Sequence, residues 1–136
     1  MDARTAARYG LAGIRLVNGV VALLAPQTMA RSLGAGPAQP ALLHVLRMFG
    51  VRTVVLGAEL LLFRDAHERD RALRVGTLVH ASDALSAACA WRDGVLAPRP
   101  GLTATAISTL NVALTLVARQ PRLPLTCRAP EGGHHA

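Results

Sequence analysis

The segment VLRMFGVRTVVLGAELLLF, residues 45–63, decides how this chain is read. It is apolar over nineteen residues, yet it carries Arg47, Arg52 and Glu59. Length and hydropathy suit a membrane-crossing helix, which needs ~17–25 residues for a hydrocarbon core of ~30 Å. The charges oppose insertion. An Arg at the bilayer centre costs ~2.5–3.5 kcal/mol, and each Leu, Val or Phe returns ~0.3–0.6 kcal/mol, roughly 3–6 kcal/mol over this run. Arg52 and Glu59 therefore cancel most of the gain. Such a helix is stable only if its charges find partners inside a bundle.

Three further runs have comparable length: residues 9–25, stopped by Pro26; residues 72–91; and residues 102–118. None alternates as a half-buried strand would. The expected fold class is all-α, a four-helix transmembrane bundle spanning residues 1–118, with residues 119–136 a disordered tail. The second run has room to begin as early as Pro40, since proline suits a helix start. Within the first connection, TMARSL is expected as a short surface helix with Met29 and Leu33 toward lipid. The alternative is a soluble four-helix bundle, which needs an apolar stripe and an opposing charged face on every helix. Residues 53–63 have no polar face, and residues 102–118 have no charge at all.

Composition points the same way. Half the chain is apolar (51%) but only 3% is aromatic, and mean hydropathy is +0.34 despite a net charge of +7. Leu, Val and Ala supply the apolar mass, as expected when helices pack through small residues. All 15 basic residues are Arg. They form no basic run and have no stacking aromatics beside them, so no nucleic-acid partner is expected. Arg4, Arg8, Arg64, Arg69, Arg71, Arg74, Arg119, Arg122 and Arg128 fall on one side of the four runs, against Arg31, Arg92 and Arg99 on the other. Positive residues collect on the cytoplasmic side. Both termini are thus expected in the cytoplasm of a multi-pass inner-membrane protein, with the lipid bilayer as its principal partner. Cys89 and Cys127 form no metal or redox spacing.

The candidate site is a buried polar cluster of Arg15, Arg47, Arg52, Glu59, His80, Asp83 and Asn111. Arg52 and Glu59 are seven apart and lie on nearly one helical face. Gly50, Thr53 and Gly57 form a neighbouring small strip. His80 and Asp83 are three apart and can touch. Ser108, Asn111 and Thr115 share a face. Turned inward, these faces would set Arg15 and Arg52 against Asp83 and Glu59. One reading is structural, a network fixing helix register. Another is a ligand site in which Arg15 and Arg52 hold a small anionic or quinone-like molecule. A third is a proton relay through His80, Asp83 and Glu59. The same three side chains have weak spacing for a metal, so no metal and no cofactor is expected.

RLVNGVVALLAPQTMARSLG, then LRMFGVRTVVLGAELL, then HASDAL, resembles small bacterial four-helix integral membrane proteins related to the DoxX-like group. Arg15, Pro26, Gly34, Arg47, Gly50, Arg52, Gly57 and Asp83 carry the resemblance, over about residues 8–118. It implies the four-helix membrane architecture. Some DoxX relatives are described as subunits of quinone-linked oxidoreductases, but no redox centre is visible here. The functional expectation is therefore a non-enzymatic accessory subunit or small-ligand binder, with or without a membrane protein partner. The alternative is a subunit of a membrane oxidoreductase handling quinone or protons.

Overall fold

A computed structural model describes residues 1–36 and 39–119. The expected disordered tail lies outside them apart from Arg119. The described residues form five α-helices and no strand: α1 (Ala3–Leu24), α2 (Pro26–Ser32), α3 (Pro40–Leu62), α4 (Ala66–Arg92) and α5 (Pro98–Ala118). Four are long, and the fifth is the short α2.

Each boundary has a local cause. Asp2 caps α1 by accepting from the Thr5 amide at 2.9 Å. Asp65 caps α4 by accepting from the amides of His67 (2.7 Å) and Glu68 (2.9 Å), which relieves donors the helix cannot satisfy itself. Proline opens α2, α3 and α5, where its missing N–H is no loss. Gly34 and Gly94, at φ +80° and +73°, turn the chain after α2 and α4. The left-handed region is open to glycine without steric cost.

The long helices pack as two pairs. α1 lies on α3 and α4 on α5. An α1–α5 contact joins the pairs, and α3 touches α4 only sparingly. The α1–α3 crossing is backbone against backbone. A Cβ on Gly50 would sit 2.7 Å from the Gly19 carbonyl oxygen, and one on Gly57 3.2 Å from that of Ala12. The small strip on α3 therefore faces α1, with Thr53 buried in it.

Along its axis the interior changes character. Leu11, Ala12, Leu60, Ala72 and Leu73 form an apolar layer at the end where α1 begins. The middle layer is polar: Arg15, Thr53, His80, Asn111 and Thr115 are all buried. The far end, under α2, holds a cavity of about 390 Å³. Met29 and Leu33 line it. The expectation that they face lipid is thereby corrected: Pro26 and Ala30 anchor α2 so that its apolar side turns onto the bundle.

Two helices, α1 and α5, are long and apolar enough, and carry few enough charges, to cross a membrane. α3 is as apolar as either but carries three charges, Arg47, Arg52 and Glu59, whereas the charged and polar residues of α4 lower its hydropathy. The exterior is nonetheless apolar along all four long helices. Leu24, Leu62, Leu78 and Leu116 are each more than half exposed.

Candidate functional site

The polar layer is built around Arg15, the largest fully buried side chain in the described protein, at 1% exposure. It leaves α1, crosses the bundle axis and ends against α4. Its Nε donates to His80 Nε2 at 3.0 Å, its Nη1 to the Leu56 carbonyl at 3.1 Å, and its Nη2 to Thr115 Oγ1 at 3.5 Å. One guanidinium thus ties α1 to α3, α4 and α5. Gly76, one turn before His80, lies directly against it; any side chain there would occupy the same space.

The expected pairing of Arg15 with an acid is not what the structure holds. All three partners are neutral acceptors. Asp83 belongs to Arg52, whose Nη2 donates to Oδ2 at 3.1 Å and Oδ1 at 3.2 Å. Glu59 is in no ion pair among the described residues. It lines a separate cavity of about 390 Å³ between α3 and α4, with Glu68 and Arg71. Arg47 is exposed on α3, away from the cluster.

His80 links the two arginines. Because Nε2 accepts from Arg15, the imidazole carries its proton on Nδ1. That nitrogen lies 3.8 Å from Asp83 Oδ2, beyond hydrogen-bond reach. A polar line therefore runs Arg52–Asp83–His80–Arg15 across the bundle. Arg15, His80 and Asp83 lie close together, but Arg52 reaches Asp83 from an exposed position on α3 rather than from the buried one expected. Asn111 is buried one turn from Thr115, which donates to its backbone carbonyl at 2.6 Å. Its own Oδ1 has no hydrogen-bond partner among the described residues.

Asp83 also reaches the cavity at the α2 end. The walls are apolar, from Leu46 and Phe49 on α3, Leu96 and Ile107. Asn18, Ser86 and Ser108 add neutral polar groups. Arg52 is not part of the lining; its guanidinium carbon lies 5.4 Å from the Phe49 ring centre. The cavity thus presents one carboxylate, compensated from outside, within an otherwise apolar space. Among the described residues no group of three His, Cys, Asp or Glu side chains could hold a metal ion.

Two participants were missing from the sequence reading. Gly76 makes room for the guanidinium, and the Leu56 carbonyl accepts from it. A backbone acceptor has no sequence signature. Gly76 does have one: glycine inside a helix costs about 1 kcal/mol relative to alanine, so its place one turn before a buried histidine signals close packing.

No protein-family model, no curated protein sequence and no solved structure matches this chain.

Proposed function

We propose that this chain is a multi-pass inner-membrane protein with both termini in the cytoplasm, and that it acts as a non-enzymatic accessory subunit that binds a small ligand between its helices. The observation that carries the reading is the polarity of α5. It buries only Gly101, Asn111 and Thr115 while exposing Leu102, Ile107, Leu110, Leu116 and Val117. A helix on a water-soluble core does the reverse. Lipid is the solvent that rewards this arrangement, with small and polar side chains gluing helices together. The relation to the DoxX-like group belongs to the same proposal. Arg15, Gly50 and Gly57 carry that resemblance and sit at helix contacts.

Orientation and insertion are tested together. In a chain with both cysteines replaced by serine, Ala97→Cys should react with a membrane-impermeant maleimide in intact spheroplasts. Ala66→Cys should react only after lysis. Equal labelling of both positions in intact spheroplasts refutes the orientation. Recovery of the chain in the supernatant without detergent refutes the membrane reading.

A second reading, a subunit handling quinone or protons, draws on the Arg52–Asp83–His80–Arg15 line, which is hydrogen-bonded except for the 3.8 Å step between Asp83 and His80. It requires bound quinone to copurify in mild detergent, and Asp83→Asn to abolish turnover without loss of assembly. If Asp83→Asn lowers only abundance or stability, the accessory reading is favoured.

A further inference from the structure

The two arginines on which an anionic ligand would depend are already committed. Arg15 is sealed from the cavity and satisfied by His80, Leu56 and Thr115. Arg52 spends Nη2 on Asp83 and stands behind the lining. What the cavity itself displays is the Asp83 carboxylate, 26% exposed, with free acceptor capacity, since a carboxylate offers about four lone-pair sites. Its charge is already balanced by Arg52. A cationic head would therefore add a surplus charge to an apolar space, and an anionic head would meet Asp83 directly. A neutral donor meets neither penalty.

We infer that the cavity under α2 binds a small neutral amphiphile whose hydroxyl donates to Asp83 while its apolar body lies among Leu46, Phe49, Leu96 and Ala104. The volume of about 390 Å³ falls at the small end of the ~300–1,000 Å³ usual for ligand sites, which suits a single substituted ring or a short chain. Asn18, Ser86 and Ser108 are placed to take a second hydroxyl or ether oxygen. This inference rests on the small-ligand reading above and names the site and the head-group chemistry.

The test uses the full chain in a maltoside detergent and three probes that share one apolar body: 4-butylphenol, butylbenzene and 4-butylbenzoate. Binding is measured by titration calorimetry against a blank of micelles alone. The phenol is expected to bind saturably at one site per chain. A hydrogen bond to a charged partner corresponds to roughly 10–150-fold in affinity, so the phenol should exceed butylbenzene by at least tenfold and butylbenzoate by more. Ala104→Phe should abolish binding by filling the space. Asp83→Asn should bring the benzoate to within about threefold of the phenol. Circular dichroism of both variants establishes that the helices persist.

Saturable binding of the benzoate as tight as that of the phenol overturns the inference. So does phenol binding that survives Ala104→Phe, or the absence of saturable binding to a folded, detergent-extracted chain. The last result leaves the membrane reading standing. Recovery of the chain without detergent removes that reading independently of any probe.

Discussion

The fit between Gly76 and Arg15 makes a quantitative prediction. Gly76→Ala should gain about 1 kcal/mol from helix propensity. The new methyl group, however, must displace a guanidinium held by His80, Leu56 and Thr115. Overpacking of this kind costs about 1–3 kcal/mol, and a lost charge-assisted hydrogen bond about 1.5–3 kcal/mol. The net effect is a destabilisation of about 1.5–5 kcal/mol. In an Arg15→Met background the obstacle is a flexible thioether with no fixed partner. There the same substitution should be neutral or stabilising by about 1 kcal/mol. Unfolding of the four proteins in detergent, followed by far-ultraviolet circular dichroism, closes the cycle, and contacting residues should show strong non-additivity. An equal loss from Gly76→Ala in both backgrounds, or a gain in the Arg15 protein, would falsify the claim that the guanidinium occupies the glycine's side-chain space.

Other perturbations separate contacts that look alike in sequence. Gly50→Ala should weaken the bundle strongly, since its methyl would meet backbone atoms of Gly19 and Leu23 that cannot swing aside; Gly10→Ala meets nothing within 4 Å and should stabilise by about 0.5–1 kcal/mol in the same unfolding assay. Arg52→Leu and Asp83→Asn should each destabilise, and the double variant should lose less than their sum; additive losses would argue against the ion pair. The Asp65 carboxyl is held below its ordinary value by the amides of Glu68 and His67. A depressed folded-state pKa contributes stability that is present above the unfolded value and lost as pH falls through the folded one. The melting temperature should therefore decline below about pH 4, and Asp65→Ala should be less stable at pH 7 with a flatter acid limb.

Much of the architecture was legible in residues 45–63. The small strip Gly50–Thr53–Gly57 identified the surface by which α3 meets α1, because only small side chains permit such an approach. Helical spacing likewise placed Ser108, Asn111 and Thr115 on one inward face. The pairing of charges was less accessible. Which acid meets which arginine depends on axial offset between helices, and spacing within one helix is blind to it. Arg52 and Asp83 lie at one level, whereas Arg15 lies nearer the end where α1 begins and finds neutral acceptors. The orientation of α2 was misjudged for a related reason. A seven-residue helix with one apolar side suits either lipid or a cavity, and the cavity exists only once five segments are assembled.

Dividing the bundle into an α1–α3 half and an α4–α5 half has a consequence for biogenesis. A nascent chain completes the first half before the second emerges. At that stage Arg15 has the Leu56 carbonyl within reach, while His80 and Thr115 are still to come. The half-made protein thus carries a guanidinium short of acceptors, and arrival of the second hairpin relieves it. Coexpressed as separate fragments, residues 1–64 and 65–136 should accumulate together, and the first alone should be degraded.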